Sequence, residues 1–148
     1  MLAMYHDYRI QNPDKGFLCV NELEFGVPLQ TPMMSIFREK LTPTAFRTVV
    51  LEARRFGGRD SLQAGIVDAV GGLEETVGFI RERKLLNKAA TGIYGTMKEE
   101  MYSRILDGLE DHDGNLAWRE KVEVRNEKLR GEGLKEVEKW EKSSKSKL

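Results

Sequence analysis

Residues 58 to 70 read GRDSLQAGIVDAV, and the register of this stretch organises the rest of the chain. Asp60 is placed to cap a brief helix that stops at Gly65. Ile66-Val67 is then an apolar pair entering the interior, followed by a stop at Gly71-Gly72. Upstream, Thr31-Pro32 and Thr42-Pro43 each set an N-cap residue before a proline at the first helical position, where the missing N–H costs nothing. Two consecutive helices follow, Met33, Ile36, Phe37 and Leu41 marking an apolar face on the first and Phe46, Val49, Val50 and Ala53 one on the second, which ends at Gly57-Gly58. YRI (8–10) and FLCV (17–20) are β-prone runs separated by the turn cluster Asn12-Pro13-Asp14-Lys15-Gly16. Downstream, the 3.6-residue spacing predicts helices over about 73–88 and 94–110, carrying Val77, Ile80, Met97, Met101, Ile105 and Leu109. A break at 111–115 precedes a charged helical segment over 116–140, interrupted at Gly131 and Gly133.

Charge is unevenly spread. Residues 1–37 hold six charged side chains and residues 111–148 hold nineteen, so the first segment reads as interior and the last as solvated surface. Over all 148 residues, 24 Lys+Arg balance 24 Asp+Glu, which excludes a globally basic surface for nucleic acid. No apolar run approaches the roughly 20 residues of a membrane span. His6, Asp7 and Arg9 sit where a secretory signal would keep its apolar stretch, so an unsecreted chain is expected. One cysteine, Cys19, and two histidines cannot supply a zinc site of the common thiolate or thiolate–imidazole kinds, and no metal is expected. Gly57-Gly58-Arg59-Asp60 lacks the spacing of a phosphate-binding loop. Leu2 to Tyr5 are patterned like a helix interior with no capping residue before them, as if the chain starts inside an element.

Three blocks, LAMYHDYRI (2–10), NELEFGVPL (21–29) and GRDSLQAGIVDAV (58–70), resemble the second half of the crotonase (enoyl-CoA hydratase/isomerase) superfamily, and within it the peroxisomal enoyl-CoA delta isomerases. The likeness covers residues 1 to about 80 and fades through 110. It implies an α/β class: the C-terminal portion of a ββα spiral, mainly helical with a few short strands. It further implies core residues in 1–72 and a helical oligomerisation and CoA-side region in 73–110, while charge marks 111–145 as a helical tail. The partners implied are an acyl-CoA substrate and other copies or homologues in a trimer-based homo- or hetero-oligomer. No cofactor is implied beyond the CoA of the substrate.

The family's general base lies in the segment matching Asn21-Glu22-Leu23-Glu24-Phe25-Gly26, which maps it onto Glu22. One carboxylate can remove a proton from C2 of a 3-enoyl-CoA and return it to C4. Glu22 set against Leu18, Val20, Phe25 and Leu29 would be partly withdrawn from water, as a shuttle requires. Glu24, on the same parity of an extended segment, is the second choice. Two backbone N–H donors should hold the dienolate oxygen, each worth roughly 2.7 to 4 kcal/mol, and the resemblance places both before Met1. The family's hydratases carry a second glutamate at or next to the position of Met1, which is not acidic; this favours isomerase over hydratase. Lys98 and the basic residues of 119–130 are candidates for the CoA phosphates. Activity is expected only with the family's first half supplied, and the alternative is a non-catalytic partner of full-length homologues. Finally, Ser146-Lys147-Leu148 matches the S-K-L address of the peroxisomal import receptor, behind a polar stretch that would leave it accessible.

Overall fold

The computed structural model describes residues 1–145. Among them one compact unit spans Met1–Glu110 and a second begins at Asp111. The first unit opens with a 3-10 turn, Leu2–Tyr5, that buries Met4 and leads to a short strand β1 (Ile10–Gln11). β1 pairs in parallel with β2 (Ala69–Val70), Ile10 opposite Ala69 and Gln11 opposite Val70. Parallel strands need a crossover, and here it is the whole of residues 12–68: a long irregular segment, then helices α1 (Thr31–Lys40), α2 (Pro43–Leu51) and α3 (Gly58–Gln63).

Arg9 and Asp68 seal the mouth of this crossover. The Arg9 N–H donates to the Asp68 carboxylate at 2.8 Å and its Nε donates to the Ile66 carbonyl at 2.7 Å. The Asp68 N–H returns to the Arg9 carbonyl at 2.8 Å. Charge-assisted bonds of this kind are the stronger ones.

The core gathers where α1 and α2 meet the 3-10 turn. Ile36 and Phe37 of α1, Val49 of α2, Phe56, Ile66 and Val67 are buried with Met4, Val20 and Leu29. Each such side chain contributes about 1.5 to 3 kcal/mol by leaving water. The predicted α1 face holds at Ile36, Phe37 and Leu41, whereas Met33 is 36% exposed.

The caps divide the expectations. Thr42 accepts from the Ala45 N–H at 3.2 Å, as its position before Pro43 requires. Thr31 does not cap α1: the Gln30 carbonyl accepts from Met34 at 2.9 Å, so the helix starts one residue earlier. Asp60 does not cap α3 either, because the Gly57 carbonyl already accepts from Ser61 and Asp60 falls in the first turn. α2 ends at Leu51 rather than at Gly57-Gly58, broken by Ala53 at φ +47°. Gly58 instead serves close approach: a Cβ there would stand 2.8 Å from the Pro13 Cα.

Past β2 the helical region is segmented. α4 (Leu73–Glu82) starts where Glu75 Oε2 accepts from the Gly72 N–H at 2.7 Å. It is cut from α5 (Leu85–Lys88) by Lys84 at φ +52°. The single helix expected over 94–110 is two, α6 (Tyr94–Met101) and α7 (Ser103–Glu110), parted at Tyr102. Ile105 alone of its apolar set enters the core; Met97 is 68% and Met101 63% exposed. FLCV forms no strand, only an isolated antiparallel bridge from Leu18 to Phe56. Nor is 1–37 all interior, since Phe17, Leu23, Phe25 and Val27 are exposed.

The second unit is one long helix, α8 (His112–Lys145). The break expected at 111–115 narrows to Asp111, whose carboxylate accepts from the Gly114 N–H at 3.0 Å. Gly131 and Gly133 do not interrupt the helix.

Candidate functional site

The segment carrying Glu22 leaves the Leu18–Phe56 bridge, buries Val20, and then turns. Over residues 21–27 the chain makes a single helical turn closed at its C-terminal end. The Glu24 N–H donates to the Asn21 carbonyl at 3.0 Å, Gly26 to Leu23 at 3.3 Å, and Val27 to Glu22 at 3.0 Å. The last two bonds nest, one inside the other, around Gly26 at φ +68°, the pattern of a Schellman stop. A residue with a Cβ is strained in that conformation, so Gly26 is what lets the turn close behind Glu22.

This turn separates the two acidic candidates. In an extended segment Glu22 and Glu24 would share a face; in a turn they diverge, and Glu24 is exposed while Glu22 is half-buried. The Glu22 Oε2 is buried and has no hydrogen-bond partner among the described residues. A buried acceptor left unpaired costs about 1 to 3 kcal/mol, so this oxygen has acceptor capacity that no described residue uses. The surroundings correct one expectation. Val20 and Leu29 are buried and Leu18 packs on the core, but Phe25 is 72% exposed.

The remaining candidates are placed elsewhere. Lys98 forms an ion pair with Asp7 at 2.8 Å, and its side chain remains exposed. Beside that pair, Lys40 Nζ donates to the His6 carbonyl at 2.8 Å and sits 4.5 Å above the Tyr102 ring. Cys19 is a half-buried free thiol. Among the described residues no group of His, Cys, Asp and Glu is arranged to hold a metal ion, and no helix is long and apolar enough to cross a membrane. Ser146, Lys147 and Leu148 lie outside the described residues.

Sequence reasoning missed a second orphaned acceptor, tied to the Leu18–Phe56 bridge from the β1 side. Gln11 Nε2 donates to the Phe56 carbonyl at 3.3 Å, while its Oε1 is buried without a partner. Gln11 and Leu18 both line a cavity of about 470 Å³ with Ala3, His6 and Val67. No local signal marks Gln11, because its burial depends on β2, far away in sequence.

Against known proteins, no family model matches the chain. It is 32% identical over 111 residues to the peroxisomal enoyl-CoA delta isomerase 1 of Arabidopsis thaliana, covering 72% of this chain and 46% of that protein. It is 27% identical over 123 residues to enoyl-CoA delta isomerase 3 of the same plant, covering 79% and 52%. In structure it is similar to an enoyl-CoA hydratase from Mycobacterium marinum, with a TM-score of 0.64, 24% identity, and coverage of 78% of this chain and 52% of that one. An enoyl-CoA hydratase/isomerase family protein from Pseudomonas syringae gives a TM-score of 0.64 at 24% identity over 79% and 50%. The chain spans about half the length of the curated relatives it matches.

Proposed function

From the premise that this chain belongs to the crotonase superfamily and carries a partial crotonase-like fold, we propose that it serves the isomerisation of 3-enoyl-CoA to 2-enoyl-CoA, with Glu22 as the proton shuttle. Glu22 takes a proton from C2, the electron pair moves into a dienolate on the thioester, and the same carboxyl returns a proton to C4. The C3–C4 double bond becomes C2–C3 and no atom is gained or lost. Backbone N–H donors facing the thioester oxygen complete the reaction, and the shuttle calls for no cofactor beyond the CoA of the substrate. The observation that carries the reading is the orphaned Oε2 of Glu22, half-buried on a rigid turn while Glu24 points to water.

The test is an isomerase assay on the protein isolated in its native assembly, with Glu22→Gln and Glu24→Gln beside it. Glu22→Gln is expected to lose at least about 10²-fold in rate, and Glu24→Gln to keep most of it. Equal rates for wild type and Glu22→Gln remove Glu22 from the mechanism. Hydration of a 2-enoyl-CoA is followed in parallel, and turnover there alone makes the protein a hydratase.

A second reading is favoured by one observation: the helices of 73–110 expose large apolar side chains, among them Leu86, Ile93, Met97 and Met101. In it the chain is a non-catalytic partner in a trimer-based oligomer of longer homologues, joined through the helices of 73–110. Co-purification with a homologue without loss of rate in Glu22→Gln supports it. Delivery to the peroxisome by the import receptor is part of either reading, supported by the terminal Ser-Lys-Leu and by relatives whose names place them there. A fluorescent fusion at the N-terminus that stays diffuse with Leu148 present overturns it.

A further inference from the structure

α8 presents a stripe of apolar side chains to solvent. Trp118, Leu129 and Trp140 recur every eleven residues, three turns at 3.67 residues per turn, so they stand in a nearly straight line along the helix. They are 49%, 56% and 68% exposed, and Val122 lies beside them half-buried. A solvated helix has no use for tryptophans at that spacing; one with an absent partner does.

Charge identifies the partner. Along one flank of the stripe run Lys121 and Arg125, then Glu132 and Glu136, two cations followed by two anions. We propose that α8 binds the α8 of a second copy of this chain, antiparallel, with the two-fold axis near Leu129. That arrangement seats Trp118 on the partner's Trp140 and meets Leu129 with its own copy. Lys121 then faces the Glu136 level of the other helix and Arg125 the Glu132 level, and by symmetry both pairs form twice. A parallel pair sets this flank beside the partner's opposite flank of Val122, Asn126, Gly133 and Val137, and leaves all four charges without an opposite partner. Antiparallel packing also opposes the two helix dipoles. Within the helix Glu132 and Glu136 lean toward Lys128 and Lys139, at 3.9 and 2.6 Å, all four exposed; Lys121 and Arg125 make no ion pair among the described residues.

The test uses the full chain in a Cys19→Ser background. Leu129→Cys is expected to cross-link to itself under mild oxidation. Trp118→Cys alone is expected to stay uncross-linked, because its copies stand about 33 Å apart at 1.5 Å per residue, and to form heterodimers when mixed with Trp140→Cys. Sedimentation at low salt is expected to show a dimer that Lys121→Glu with Arg125→Glu weakens at least tenfold. Adding Glu132→Lys and Glu136→Lys to that variant is expected to restore it, with circular dichroism confirming helix content throughout. A wild-type chain monomeric at tens of micromolar, efficient self-cross-linking of Trp118→Cys, or a charge reversal without effect on dimerisation overturns the proposal. No arm uses an acyl-CoA, so the outcome is independent of the isomerase reading.

Discussion

Leu18 and Phe56 exchange both of their backbone hydrogen bonds, N–H to carbonyl at 2.9 Å in one direction and 2.8 Å in the other. This single bridge fixes the segment leading to Glu22 against the entry to α3. The Phe56 carbonyl also receives Gln11 Nε2 and, at 3.4 Å, the Ser61 hydroxyl. One residue thereby ties β1, the Glu22 segment and α3 together.

The Phe56 side chain is only 2% exposed, and its loss leaves a cavity under that junction. Phe56→Ala is expected to destabilise the first unit by about 3 kcal/mol or more. Phe56→Leu should cost clearly less. Urea denaturation followed by circular dichroism measures both.

Gly26→Ala tests whether the turn positions Glu22. The left-handed φ of +68° makes the substitution cost about 1 kcal/mol, small enough to leave the protein folded. The isomerase rate is expected to fall by more than the stability loss explains, at nearly unchanged KM.

Arg9→Met removes the donors that hold the Ile66 carbonyl and screen Asp68. The side chain is about nine-tenths buried, so the loss is expected to cost about 2 kcal/mol. Asp68→Asn, which keeps an acceptor for the Arg9 N–H, should cost less, and thermal unfolding ranks the two.

The two lysines near Asp7 are expected to titrate on opposite sides of the ordinary lysine value of 10.5. Burial, and then the Arg9 guanidinium, pushes Lys40 down; the hydrogen bond to Asp7 pushes Lys98 up. In the unfolded chain both return to 10.5, so the signs for stability differ. The fold gains as pH rises from Lys40's lowered value to 10.5, because only the unfolded chain still holds that proton. The contribution of Lys98 is complete below 10.5 and is lost as pH climbs through its raised value. Lysine side-chain NMR resolves both, and Asp7→Asn is expected to lower both.

What the sequence made legible was local. Thr42-Pro43 marks a true helix start because cap and proline act within one turn, and Ile36, Phe37 and Val49 lie on faces that the 3.6-residue period reports directly. Glu22 is singled out by the resemblance of NELEFG, and the structure half-buries it with one carboxylate oxygen out of water. Its separation from Glu24 is not legible in the sequence, because strand parity gives way to the turn that Gly26 closes. FLCV has the composition of a strand, but pairing needs a partner, and Phe56 offers one residue only. Met97 and Met101 fit the helical period yet stay in water, since Tyr102 breaks the helix before their face meets the core.

The parallel pairing of β1 with β2 also dictates an order of events during synthesis. Ile10 cannot find Ala69 until about 60 further residues have been made, about 3 to 12 seconds at ordinary elongation rates. Through that interval Met4, Val20 and the apolar face of α1 have no sheet to close over them. Until then those residues also lack Ile66 and Val67, the partners that bury with them in the finished fold.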